Sequence, residues 1–473
     1  MKKYISNIIV VKIIVITMLF AMLTMSGCVC GPKEKKAVWV DTKYGHRMQI
    51  VFWHSMAGKL GEVLNKMIDE FNRTNTGEIF IKSEFIGEYG TLNQKIAAAV
   101  FAEIPPHISQ VYETWTLQLK NENAIVCMDK YMDGTTDIRV DRNDIVPALL
   151  DNVTIDGKIY SMPFNKSIPV LYYNKDLFKI AGLDPERPPE TWDDFIEYGK
   201  KLTMVIYLND DGSYKSHKTR EQYEKENGAN TFPPQKSSTC KIVWGNAFIP
   251  DPWSFENYVV QNGGRILSKD GKKSLINEPA AIEAAEHMVN KVKKHGFAVR
   301  MSGREHQNEF ISGRVGMIEG TIVSKTFMQN DIKFKFGMSY MPYKKVKTSV
   351  LSGTNVAIYS CFSEEELLGA WRFIKWFTDT EQTARWGVET TYMPVRKSAY
   401  DTQIVKDTIQ KDPNMKVALT MLEKIEFEPQ VSSWFECRGI LSKATEAICG
   451  MYDPVKTLNN AVTEMNEVLN QED

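Results

Sequence analysis

Cysteine is scarce in this chain, seven among 473 residues, and no two stand in a CxxC pair. A zinc ribbon or a thioredoxin-type redox site needs two thiols at that spacing, so neither is indicated. The seven histidines are dispersed too, with no HExxH or comparable metal spacing. GxSxG and a phosphate-cradling glycine loop are both missing, which removes the usual signatures of serine hydrolases and P-loop enzymes. Basic residues number 58 against 59 acidic ones, for a net charge of −1, and they form no patch of the kind nucleic acid requires. There is no tandem repeat. These absences lead to an expectation of no metal, no cofactor, no nucleic acid and no catalysis. A pair of carboxylates of the glycoside-hydrolase type is the one catalytic arrangement that the abundant Asp and Glu leave open.

Long apolar runs are also lacking outside the start of the chain. Lys2 and Lys3 precede an apolar run from Ile13 to Met22, and Ser26-Gly27-Cys28 follows it. The run is too short to span a bilayer, and the order of charge, apolar core and small residues is that of a secretory signal. The small residues before Cys28 resemble a bacterial lipobox. The expectation is therefore a signal peptide over residues 1–27, lipidation of Cys28, and a polar tether over 28–46. That would place the protein outside the cytoplasm, held to a bacterial membrane in the periplasm or on the outer face of the cell. The five other cysteines, Cys127, Cys240, Cys361, Cys437 and Cys449, are widely scattered. One disulfide is possible among them, and spacing does not choose it.

What is present is an α/β grammar. Met48 to Trp53 reads as a buried strand, and Leu60, Val63, Leu64, Met67, Ile68 and Phe71 recur at helical spacing. Glu78 to Phe85 predicts a second strand, Leu92 to Phe101 a second helix, and Ile108 to Tyr112 a third strand. Such alternation argues for a mostly parallel sheet covered by helices. A similar run begins near Tyr160, with a strand at Val170 to Tyr173 and a helix capped by Thr191 that carries Asp193 and Asp194 in its first turn. Residues 206–240 are polar and aperiodic and read as a surface insertion. Helices are predicted at Pro279 to Lys294, Glu364 to Thr378 and Ser442 to Asn470.

Four stretches carry a family resemblance: IVFWHSMAGKLGEVLNKMIDEFNRTN, MPFNKSIPVLYYNKDLFKIAGLDPERPPETWDDF, FISGRVGMIEG and WFTDTEQTARWGVETTYMPVRKSAY. Together they resemble the extracellular solute-binding proteins of bacterial ABC importers, of the family 1 or maltodextrin-binding-like group. FWHSM, QVYE and PVLYYNKD are closest to its glycerophosphate-binding members. The likeness covers about residues 48–470, apart from the insertion. It implies a class II periplasmic-binding-protein-like fold with two discontinuous α/β lobes, placed at 47–160 with 314–352 and at 161–313 with 353–473.

The resemblance also implies a ligand, a glycerol-3-phosphate or related glycerophosphoester, captured between closing lobes by a monomer that delivers it to permease subunits. Matched motif by motif, the implied site is Tyr89 (IGEYGTLNQ), Glu113 (QVYET), Ser167 (PFNKS), Thr321 (after FISGRVGMIEG), Gly353 (VLSGTN), Tyr392 (before Met393-Pro394) and Arg438 (FECRGIL). Trp253 in FIPDPWSFEN stands for an aromatic wall, one residue out of register with the family pattern, and Thr321 replaces a serine. Four hydroxyls, a backbone N–H at Gly353 and a planar guanidinium are suited to a phosphate's oxygens. Glu113, an acceptor only, suits glycerol hydroxyls. Gly353 is expected to let the backbone approach the oxyanion. The alternative is a neutral mono- or oligosaccharide, for which the ten tryptophans, including Trp115, Trp253, Trp376, Trp386 and Trp434, supply aromatic faces.

Overall fold

Strand Gly45–His54 shows how the first lobe is built. Met48, Ile50 and Phe52 point to one face and join a large core, while Val51 and Trp53 point to the other and join a smaller one. Both faces are therefore covered by helices, as an apolar run without polar alternation demands. Helix Gly58–Thr74 buries Leu60, Leu64, Met67, Ile68 and Phe71 on the first face, and helices Tyr89–Phe101 and Glu113–Asn121 close the second. The computed structural model describes residues 37–235, 237–420 and 425–470. The signal peptide and Cys28 expected above lie outside them.

Seven strands make the first sheet: Trp39–Thr42, Gly45–His54, Ile79–Phe85, Ile108–Val111, Met162–Ser167, Ser349–Ile358 and Ile425–Phe427. Gly45–His54 runs parallel to Ile79–Phe85, with Ile50 beside Ile81, and parallel to Ile108–Val111. The returning strand Ser349–Ile358 runs antiparallel to both Ile108–Val111 and Met162–Ser167, so the sheet is mixed rather than mostly parallel. The second sheet also has seven strands: Pro169–Asn174, Met204–Leu208, Tyr214–Thr219, Cys240–Phe248, Ala298–Arg300, Val315–Thr321 and Phe336–Tyr340. Helices Trp192–Leu202, Pro252–Gln261, Pro279–Lys293, Trp434–Cys449 and Pro454–Leu469 pack with it, and Cys437 and Cys449 are buried in that core. Thr191 caps its helix as expected, in a reciprocal box with Asp194.

Among the described residues the chain crosses between the sheets at Ile168, between Tyr340 and Ser349, and again after Phe427. This differs from the expected lobe boundaries in two stretches. Val315–Thr321 pairs with Pro169–Asn174 in the second sheet, whereas helices Glu364–Phe377 and Thr380–Thr390 pack in the first core. Local periodicity fixes an element but not the sheet it joins, and partners far apart in sequence decide that. Residues 39–46, expected within a tether, are instead part of the first sheet, because Trp39–Thr42 pairs with Gly45–Met48. The aperiodic stretch 206–240 is partly ordered as well. Met204–Leu208 and Tyr214–Thr219 form a hairpin at the sheet edge, and helix Arg220–Asn227 follows. Arg220 docks it by donating to the Gly296 carbonyl at 2.8 Å. Its outer strand buries no residue completely, so no hydrophobic alternation marked it.

Candidate functional site

A cleft of about 1150 Å³ lies between the lobes, and all eight residues singled out in the sequence line it. The first lobe supplies Tyr89, Glu113, Ser167, Gly353 and Tyr392, and the second supplies Trp253, Thr321 and Arg438. Three helices meet the cleft with their first residues, Gly58, Tyr89 and Glu113. Unpaired backbone N–H groups and the positive dipole end therefore point toward the opening.

The hydroxyls are held by the framework. Tyr89 accepts a hydrogen bond from Asn165 Nδ2 at 3.0 Å and meets Tyr112 edge-on. Tyr392 lies flat on Trp386, at 5.8 Å between ring centres, directly after Thr391, whose backbone is left-handed. Burial raises the phenol pKa of both tyrosines above its ordinary value, so each stays a neutral hydrogen-bond donor. Ser167 ends strand Met162–Ser167, and its buried Oγ has no partner. A buried hydroxyl left unsatisfied at a cleft wall is free for a ligand. Thr321 ends strand Val315–Thr321, and its own backbone is already engaged, with N–H donating to Ser324 Oγ and carbonyl accepting from Tyr172.

Gly353 is required for a reason other than the expected one. Its φ is +124°, and a Cβ there would stand 2.1 Å from the Asn165 carbonyl oxygen. The neighbouring crossover strand, before any ligand, is what excludes a side chain. Trp253, placed on helix Pro252–Gln261, donates from its indole to the Val350 carbonyl at 3.0 Å, which fixes one wall of the cleft to the returning strand.

Arg438 sits on helix Trp434–Cys449 with Nε 3.6 Å from Glu428 Oε1. Burial works against its charge, but Glu428, Glu256 and Asp251 outweigh that and raise its pKa further. Glu256 is 1% exposed, and both its carboxyl oxygens lack partners. Burial, together with Glu428, pushes its pKa well above the usual carboxylate range.

Several cleft residues escaped the sequence reading. Tyr112, Asn165, Glu428 and Phe435 all line the opening. Lys166 does not line it, yet its ammonium pairs with Glu113 and donates to Asn152 Oδ1 at 2.7 Å. Nearness to Ser167 and Arg438 in PFNKS and WFECRGIL was the available signal for Asn165, Lys166 and Phe435. Of the five tryptophans named for a sugar site, Trp253 and Trp434 reach the cleft, whereas Trp115, Trp376 and Trp386 pack in the first lobe. Among the described residues no cluster of His, Cys, Asp and Glu could hold a metal ion, and no helix is long and apolar enough to cross a membrane.

Two lobes joined by crossing strands, with donors from both sides of one cleft, define a binding protein of the two-lobed type. Residues 66–417 match the family described as bacterial extracellular solute-binding protein, and the chain belongs to that family. The sn-glycerol-3-phosphate-binding periplasmic protein UgpB of Escherichia coli K12 is 28% identical over 446 residues, covering 89% of this chain and 92% of that protein. UgpB from Mycobacterium tuberculosis, solved in complex with glycerophosphocholine, matches with a TM-score of 0.74 and 24% identity over 90% of this chain and 99% of that one. The cyclic α-maltosyl-1,6-maltose binding protein from Arthrobacter globiformis matches with a TM-score of 0.70 and 20% identity, over 89% and 99%. These two structural likenesses bear on the fold.

Proposed function

We propose that this protein captures glycerol-3-phosphate or a related glycerophosphoester between its lobes and delivers it to the permease of an ABC importer. The observation that carries this reading is the donor set of the cleft. Hydroxyls of Tyr89, Ser167, Thr321 and Tyr392, the Gly353 backbone, the Arg438 guanidinium and three helix N-termini converge on one space. An oxyanion is the ligand best served by many donors and a positive dipole. Glu113 supplies an acceptor for the hydroxyls at the other end. The curated relative UgpB, whose name specifies glycerol-3-phosphate, supports the same class.

The protein works by binding and release rather than catalysis, as a monomer. Its ligand favours the closed form because only there do both lobes touch it. The signal peptide over residues 1–27 directs it out of the cytoplasm and is removed, and a lipid on Cys28 then holds it to a membrane. Calorimetry with glycerol-3-phosphate, glycerophosphocholine and maltose tests the ligand class. Heat from an ester is expected, and heat from maltose alone would replace this reading by the neutral-sugar one, which the solved relative named for a maltosyl-maltose keeps in view. Cys28→Ser is expected to release the protein from membranes in a fractionation experiment, and its persistence there would rule out the lipid anchor.

A further inference from the structure

A carboxylate in a cleft meant for an anion needs explaining. Glu113 lines the opening with 12% of its side chain exposed, and a negative ester bound beside it would be repelled. Behind Glu113, outside the lining of the cleft, lies the Lys166 ammonium, whose side chain is completely inaccessible. Lys166 belongs to crossover strand Met162–Ser167. Its Cα faces Gly353, and its carbonyl accepts from Met393 N–H at 3.0 Å. The lysine therefore stands at the junction of three other cleft residues, Ser167, Gly353 and Tyr392.

Resting on the anionic-ester reading above, we infer that Lys166 is the positioning residue that makes the cleft fit for an anion. Its sealed ammonium, itself held by Asn152 Oδ1, pairs with Glu113 and cancels its charge, leaving Glu113 to accept hydrogen bonds from ligand hydroxyls without repelling the phosphate. Because the lysine is hidden, it shapes the field without contacting the ligand. Burial lowers its pKa, and Glu113 first, then Glu428 from the last crossover, oppose that shift. Tyr112 adjoins Glu113 and stays neutral because burial raises its pKa well above the ordinary value.

The test is titration calorimetry with glycerol-3-phosphate at pH 8, each variant compared with the wild type. Lys166→Met is expected to lose about tenfold or more in affinity, because the Glu113 charge is then left uncancelled beside the phosphate. Adding Glu113→Gln is expected to recover most of the loss. An unchanged affinity overturns the inference. So does a loss that persists undiminished in the double variant, because Lys166 would then serve the fold alone. If Lys166→Met does not fold, the double variant decides, since it leaves no buried charge unpaired. A loss of no more than about a few-fold supports the inference, and one of about tenfold overturns it. If the wild type itself gives no heat with the ester, the ligand reading falls and takes this inference with it. That result is distinct from every outcome above, all of which need wild-type heat.

Discussion

Arg438 stands among carboxylates, with Glu428 at 3.6 Å and Glu256 and Asp251 also acting on it. Its guanidinium is thus held charged, while its Nε makes no hydrogen bond and is left for a ligand. Arg438→Ala is expected to cost about 2–5 kcal/mol of ester affinity, the range for truncating one partner of a buried charge pair, without unfolding the protein. An unchanged isotherm would show that the phosphate sits elsewhere. Glu256 gives a pH-dependent prediction. Its carboxyl ionises near 4.5 in the unfolded chain but stays protonated well above that when folded. The native state then binds more protons in that window, and stability falls as pH rises above 4.5. Glu256→Gln should therefore melt higher than the wild type at pH 7 and match it near pH 4. A pH-independent difference would mean that Glu256 is ionised in the fold.

At the scale of elements, the crossover strands carry the strictest demands. Strand Ser349–Ile358 touches Ile108–Val111, Met162–Ser167 and Ile425–Phe427, and its irregular register falls next to Gly353. Gly353→Ala must move the Asn165 carbonyl or leave its left-handed backbone. It is expected to cost about 2 kcal/mol or more of stability in a denaturant titration, together with weakened binding. Stability within about 0.5 kcal/mol of the wild type would show that the strand is free to shift.

Much of this level was legible in the sequence. The buried run Met48–Trp53, the stripe on Gly58–Thr74 and the Thr191 cap follow local rules of period and capping, and each forms as read. All eight residues singled out line one cleft, with Ser167 and Thr321 ending strands, Tyr89 and Glu113 starting helices, and Trp253 and Arg438 within the first turns of theirs. Lys166 was hidden for a physical reason: a lysine inside a strand reads as solvent-facing until Glu113 and Asn152, distant in sequence, are folded against it. The sheet that Val315–Thr321 joins and the core that helices Glu364–Phe377 and Thr380–Thr390 join were not legible for the same reason, since such membership is a long-range choice.

For the whole molecule, the cleft is larger than a three-carbon phosphoester needs, at about 1150 Å³. Bringing both lobes onto so small a ligand requires the opening to narrow about the three crossings. Solution scattering is expected to give a smaller radius of gyration with saturating glycerol-3-phosphate than without it. Identical curves, with binding verified, would mean that the ligand is held by one lobe.

The first described strand, Trp39–Thr42, is paired into one lobe, whereas the last described helix, Pro454–Leu469, packs in the other. Dyes placed at these two ends would ride on opposite jaws, so energy transfer between them becomes an optical gauge of capture. Such a reporter leaves every wall of the cleft untouched, and it would turn the protein into a sensor for its own cargo.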